Sequence, residues 1–328
     1  MALKLKAGHS PNPRLQPLVE GAVKIDGVEL EWEFLSPGEL FHKQLVENCY
    51  DLFEFSIADY FVVATRREWD HLGWIALPVF MSKPLALYYR FYAHKAAGVR
   101  TLADFRGKRF GLPDYGMTAG VWLRIMLRTL HGINAQDLVW YNGRPASERH
   151  GRILDIDQSP TPGLELINLE RKGELDELLQ RGEVQIVMAD EISTPAHASD
   201  TVELLSTPEF VQGLVQDLYH ARGVTPVNHT LAIKRKYLDD DPGLALRVYQ
   251  ACEASKQEAY RRARQAAGGY LLFADVAFAD QAKVLGDDPF PFGTEANRAT
   301  LEHIAEQLRL DGLIKEEPDL NRLWLQPA

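Results

Sequence analysis

The sequence predicts an α/β fold of two lobes, each a mostly parallel sheet flanked by helices, with a ligand cleft between them. Three observations predict it. Short apolar or alternating runs recur between stretches of helical periodicity, the pattern of strands alternating with helices. The length of 328 residues suits two domains of roughly 100–200 residues each. A strand-like run near Thr230 returns after a long excursion, and the chain beyond it is almost wholly helical. The expected division is therefore residues 1–95 and 228–328 for the first lobe and 96–227 for the second.

In the first lobe, Leu3 to Ala7 reads as a strand and Gly8 to Arg14 as a loop of turn residues. Leu15 to Val23 suits a short helix. Val28, Leu30, Trp32 and Phe34 alternate through a second strand. Ser36-Pro37-Gly38-Glu39 carries three helix-start signals: a cap, a proline at the first helical position and the glutamate of a capping box. The helix it opens sets Phe41, Leu45 and Cys49 on one stripe. Leu52 to Phe55 is a third strand, and Ser56 opens another helix. Trp74 to Phe80 and Leu85 to Tyr92 have the apolar and aromatic content of strands.

In the second lobe, Leu102 to Pro113 gives a short helix, a turn and a strand. Met117 to Leu130 is a helix with Trp122, Ile125, Met126 and Leu130 on its apolar face and Arg124 and Arg128 together on another. Val139 to Tyr141 and Leu164 to Leu169 read as strands. Gly143 to Gly163, polar and proline-rich between them, reads as a surface loop. Val184 to Ala189 is an apolar strand ending at Asp190-Glu191. Thr230 to Ile233 supplies the returning strand. Thr294 is the expected cap of a last helix striped by Leu301, Ile304, Ala305 and Leu308, with Gly312 as its stop.

Composition narrows the function classes. Hydrophobic residues make up 46% and charged residues 25%, the balance of an ordinary globular protein. The net charge of −10 repels nucleic acid and anionic membranes, so neither is an expected partner. An anionic ligand must then be held by local cations and backbone N–H groups. Cys49 and Cys252 lack zinc or CxxC spacing and are expected as buried thiols. No run approaches the roughly 20 apolar residues of a membrane span, and no signal-like segment follows Met1, which gives a cytoplasmic protein as the expectation.

Several motifs carry a resemblance. Leu102-Ala103-Asp104-Phe105-Arg106-Gly107 is similar to the opening of the second lobe in type II periplasmic-binding proteins. Pro113-Asp114-Tyr115-Gly116-Met117-Thr118-Ala119-Gly120-Val121-Trp122, Pro226-Val227-Asn228-His229-Thr230 and Gly286-Asp287-Asp288-Pro289-Phe290-Pro291-Phe292-Gly293-Thr294-Glu295-Ala296-Asn297-Arg298 resemble the 4,5-dihydroxyphthalate decarboxylase family. The last motif is long and distinctive; the first supports only the fold. The resemblance implies a type II periplasmic-binding-protein-like fold and non-oxidative removal of a ring carboxylate from a hydroxylated aromatic acid. It brings no organic cofactor, and it implies a homodimer through the C-terminal helices. One departure stands out: where many members carry an Arg-His pair, this chain has Ala86 and Leu87, so Lys83 or Arg90 becomes the candidate cation for a second carboxylate.

Decarboxylating a hydroxybenzoate needs a base for the phenol, an acid for the ring carbon and donors for any retained carboxylate. His229, before the returning strand, is the first candidate for proton transfer, since imidazole has both forms available near neutrality; the alternative is a histidine bonded to nearby backbone. Asp190 and Glu191 end a strand facing the cleft and are either acid–base groups or salt-bridge partners. Tyr115 and Thr118 flank a helix start, where free N–H groups favour an anion, and Thr118 reads equally as a cap. Arg14, Ser56, Asn228, Arg90 and His9 complete the expected substrate-binding set, with Arg14 alternatively a solvated arginine and Ser56 a plain cap. Tyr88, Tyr89, Phe91 and Tyr92 are either a ring pocket or core. His9, His229 and Glu191 carry no recognisable metal-ligand spacing, so no metal is expected. A solute-binding protein that captures a small organic anion without chemistry is the competing reading of the same fold.

Overall fold

The computed structural model describes residues 2–81, 90–158, 161–190 and 196–325. The strands are β1 (Leu3–His9), β2 (Val28–Phe34), β3 (Leu52–Ser56), β4 (Trp74–Phe80), β5 (Phe91–His94), β6 (Arg109–Leu112), β7 (Val139–Asn142), β8 (Glu165–Asn168), β9 (Ile186–Met188), β10 (Val202–Leu204) and β11 (His229–Lys234). The helices are α1 (Gln16–Val19), α2 (Pro37–Glu47), α3 (Ile57–Thr65), α4 (Thr118–His131), α5 (His150–Ile153), α6 (Glu174–Gln180), α7 (Pro208–Arg222), α8 (Lys236–Asp240), α9 (Leu244–Ala267), α10 (Ala274–Leu285), α11 (Arg298–Leu310) and α12 (Leu320–Leu323).

Two sheets result, one of five strands in the order β2-β1-β3-β11-β4 and one of six in the order β10-β5-β9-β6-β7-β8. Parallel pairing holds across β2-β1-β3 and across β9-β6-β7-β8. Both sheets are nonetheless mixed. β11, which returns from the other lobe, runs antiparallel to β3 and β4, and β5, which enters the second sheet, runs antiparallel to β9 and β10. Strands that cross between lobes arrive from the opposite direction, and this reverses their pairing. The run read as a strand over 85–92 is described only from residue 90, and Phe91–His94 hydrogen-bonds in the second sheet.

Local signals explain the elements that place the cleft. Ser36 accepts from Glu39 N and Glu39 reaches back to Ser36 N, a full capping box at the start of α2. That helix stops at Glu47 with Asn48 left-handed, so Cys49 lies just beyond it and is half-buried, whereas Cys252 is buried and its thiol is pushed up to about 12 by that burial. At the other end of the chain, Asn297 Nδ2 donates to the carbonyls of Pro291 and Gly293 and closes a turn first. α11 therefore starts at Arg298 behind Asn297, with Thr294 outside it.

The largest correction concerns 143–163. Arg144, Arg149, His150 and Asp157 there are buried, so the stretch 143–157 is not a surface loop. Its polarity is spent internally. Arg149 donates to the carbonyls of Arg144 and Leu169 and pairs with Asp157. Arg124, too, is interior. Its guanidinium lies 3.9 Å over the Tyr115 ring, donates to Tyr115 O and pairs with Asp311 at 2.7 Å. One hydrophobic cluster runs through both sheets, while a smaller one sits between the second sheet and α6. Trp324 Nε1 donates to Thr230 Oγ1, which pins the C-terminal segment onto β11. The α9–α10 connection leaves Tyr270, Leu271, Leu272 and Phe273 exposed. Among the described residues no helix is long and apolar enough to cross a membrane.

The Arg124–Asp311 pair makes the first prediction. Removing one partner of a buried ion pair strands the other charge. Asp311→Ala is expected to lower the unfolding free energy by about 3–5 kcal/mol, measured by urea denaturation; a loss within the error of the wild-type value would contradict it.

Candidate functional site

The site is built where strand ends and helix starts meet. α2, α3 and α4 begin at Pro37, Ile57 and Thr118, and residues from all three starts line one cleft of about 260 Å3 between the sheets. Three positive helix-dipole ends therefore converge, a setting that favours an anion, although the N–H groups of Ile57, Ala58 and Asp59 at the start of α3 are taken by Asn228, Thr118 and Ser56. Arg90 and Arg144 add positive side chains to the lining, and Phe41 supplies an apolar wall. Two larger hollows, of about 1160 Å3 beside Arg66–Trp74 and about 400 Å3 beside Pro289–Pro291, contain no histidine among their described residues. The smaller cleft, by contrast, has His150 and His229 in its lining.

His229 lines that cleft, and the residue behind it is one that no motif singled out. Glu54 is fully buried in β3 and meets His229 Nδ1 at 2.6 Å and His9 Nδ1 at 3.1 Å. It also accepts from the Ser10 N–H at 2.8 Å and from the Ser10 hydroxyl. Register explains the meeting. His229 pairs with Ser56 across β11–β3, and Glu54 lies two residues along on the same face. Gly8 pairs with Phe53, which brings His9 beside Glu54 from the other flank. Burial alone would push the Glu54 carboxyl up, but the two histidines and the hydrogen bonds overcome it and hold the group well below the ordinary carboxylate range. With Nδ1 donating to Glu54, the imidazole keeps Nε2 for other partners. The ring stands edge-on to Phe41, 4.9 Å between centroids.

A second histidine–carboxylate pair sits on the same cleft. His150 Nδ1 lies 3.1 Å from Asp59 Oδ2 and Nε2 lies 3.0 Å from the Gly38 carbonyl. Thr118 Oγ1 accepts from Ala58 N and shares a hydrogen bond with Ser56 Oγ, both at 3.0 Å. These contacts join residues of the second lobe directly to the first.

The other expected residues divide. Ser56 both lines the cleft and caps α3 by accepting from Asp59 N. Asn228 lines it, and its carbonyl accepts from Ile57 N. Arg90 lines it and donates to Tyr92 OH. Asp190 lines it in an ion pair with Arg144 at 3.3 Å. Thr118 is the first residue of α4 rather than its cap, and its hydroxyl is used between the lobes. His9 stands behind the lining, against Glu54 and edge-on to Trp32. Tyr115 turns into the core beneath Arg124 and beside Trp140, where burial pushes its phenol up. Arg14 is buried with its guanidinium 3.9 Å over the Phe290 ring, outside the described lining. Glu191, Lys83, Tyr88 and Tyr89 lie outside the described residues. Among the described residues no three His, Cys, Asp or Glu side chains gather as a metal-ligand set.

A depressed carboxyl contributes stability that is present above its unfolded pKa and is lost as pH falls through its folded one. For Glu54 that loss begins below about pH 4, the ordinary glutamate value. Glu54→Gln is therefore expected to melt lower than wild type at pH 7 and to lose less of its stability between pH 5 and pH 2, both read by calorimetric melting. Parallel pH profiles for the two proteins would contradict the assignment.

No protein-family model matches the chain. A protein of Comamonas testosteroni named 4,5-dihydroxyphthalate decarboxylase is 28% identical over 318 residues, 96% of this chain and 92% of that relative. One of Pseudomonas putida with the same name is 33% identical over 175 residues, 53% of this chain and 66% of the relative. Among solved structures, the periplasmic aliphatic sulphonate binding protein SsuA from Escherichia coli aligns over 99% of this chain and 98% of its own, with a TM-score of 0.56 and 13% identity. That last likeness concerns the fold alone. The chain is similar to these two proteins named 4,5-dihydroxyphthalate decarboxylase and has the type II periplasmic-binding-protein fold.

Proposed function

We propose that the protein is a non-oxidative decarboxylase of a hydroxylated aromatic carboxylic acid, 4,5-dihydroxyphthalate or a related hydroxybenzoate, with His229 as the proton-transfer residue. The observation that carries this reading is the buried Glu54 behind His229 at 2.6 Å. A carboxylate in that place fixes the tautomer and orientation of the ring, which proton transfer needs and ligand capture does not. The names of the relatives support the same reaction class.

The chemistry follows from the donors present. Arg90 and Arg144 meet the carboxylate groups, each charge-assisted hydrogen bond worth about 1.5–3 kcal/mol. The helix starts add roughly 0.3–1 kcal/mol apiece, so the arginines dominate binding and the helices orient. Phe41 covers the ring face. His229 Nε2 takes the phenol proton, and the phenolate pushes electron density into the ring. The ring carbon bearing the carboxylate takes a proton from the imidazolium. The bond to the carboxylate then breaks, its electron pair stays with the ring, the phenol is restored and CO2 leaves. One proton from solvent is consumed per turnover, and nothing is oxidised or reduced.

The test is anaerobic incubation with 4,5-dihydroxyphthalate and related hydroxybenzoates without added cofactor, measuring CO2 and the decarboxylated phenol. Catalytic release is expected from wild type, and His229→Gln should cut kcat by about 10²–10⁴-fold while retaining ligand binding. Tight binding without release across the panel would favour a solute-binding protein instead. Near-wild-type turnover in His229→Gln would remove that residue from the chemistry.

A further inference from the structure

His150 belongs to the second lobe, yet both of its hydrogen-bond partners belong to the first. The ring is 4% exposed and spans from the Asp59 carboxylate, 3.1 Å away, to the Gly38 carbonyl, 3.0 Å away. Asp59 is itself fixed at the start of α3, where its N–H donates to Ser56 Oγ. On the other side of the ring the chain is equally tied. Gly151 N donates to Asp114 Oδ2 at 3.0 Å, and Arg149 holds the Arg144 carbonyl through two guanidinium nitrogens at 3.2 and 2.9 Å. A side chain gripping the first lobe is therefore rigidly connected to the backbone of Arg144.

Gly38 receives both. Its carbonyl takes the His150 hydrogen bond, and the space where a Cβ would stand is filled by Arg144, whose NH2 would lie 2.9 Å from that atom. The backbone of Gly38 is in an ordinary conformation, so it is the room, not a left-handed φ, that calls for glycine. Arg144 arrives over the start of α2, on the wall of the cleft, 3.3 Å from Asp190.

We propose that His150 is a positioning residue: it docks the 143–157 segment of the second lobe onto the first and so holds Arg144 where the substrate's carboxylate binds. The anion is the one assigned in the preceding subsection, and the inference rests on that reading for its ligand. His150 acts through Arg144, so the two must be coupled in binding.

A double-mutant cycle tests the coupling, with unreactive phthalate as the probe and calorimetry as the readout, beside kcat and KM for 4,5-dihydroxyphthalate. Arg144→Gln should weaken phthalate by about 10–100-fold, the worth of a charge-assisted hydrogen bond. His150→Gln should also weaken it, raising KM more than it lowers kcat. In the Arg144→Gln background, His150→Gln should cost less than about twofold more. Additive losses, or an unchanged Kd in His150→Gln, would overturn the proposal. Gly38→Ala separates the halves: it crowds Arg144 while leaving the carbonyl, so it should weaken phthalate without loosening the segment. Amide exchange in the ligand-free protein reports the docking by itself, and His150→Gln should raise exchange across 143–157 by about tenfold or more. If wild type binds neither acid, the proposed function fails; the docking is then decided by exchange alone, and unchanged exchange overturns it.

Discussion

Glu54 is a carboxylate without access to water, and a buried charge must be matched by donors or it destabilises the fold. It is matched by residues from separate parts of the chain: His9 and Ser10 at the end of β1, and His229 at the start of β11. That requirement accounts for the middle of the first sheet. β3 must lie between β1 and β11, so the chain must return from the second lobe to the first and end its crossing at His229. The strand that carries the candidate acid–base residue is thus the strand that closes the fold.

The same economy governs the anion site. The protein carries a net charge of −10, so long-range attraction does not bring an anion to it. On the proposed reading recognition is local, from three helix starts and two arginines around a cleft of about 260 Å3. Two of those starts, at Pro37 and Ile57, belong to the first lobe and the third, at Thr118, to the second. Contacts between the lobes, through Thr118 to Ser56 and Ala58 and through His150 to Asp59 and Gly38, therefore join the two sides of the proposed binding surface.

Much of this was legible in the sequence. The capping box at Ser36, the strand Val28–Phe34, the helix after Met117 and the returning strand at His229 were set by local patterns that packing did not override. The largest miss has a plain cause: polarity read as exposure. The stretch 143–157 is polar because Arg149 satisfies interior carbonyls and His150 reaches the other lobe, so its pattern matched a loop while these contacts are those of a core. Arg124 on α4 was read only as sharing a face with Arg128, and it pairs with Asp311, a partner 187 residues away that no local window contains. Glu54 did leave a signal. It is the single charge in Leu52-Phe53-Glu54-Phe55-Ser56, a strand otherwise apolar enough to be wholly buried, and a lone carboxylate there asks for a partner. Tyr115 was placed by its neighbours in a motif and Arg14 by its loop after the first strand; both are held by aromatic rings away from the cleft, a packing choice that neither position encodes.

The central claim is that Glu54 is ionised and holds the Nδ1–H of His229, leaving Nε2 to the cleft. Nitrogen-15 NMR of the histidine side chains reads this directly, with His229→Gln used to assign the resonance. The account predicts a protonated, strongly hydrogen-bonded Nδ1 at His229 whose proton signal disappears in Glu54→Gln. A His229 ring that carries its proton on Nε2 in the neutral form, with Nδ1 accepting from a protonated Glu54, would contradict it.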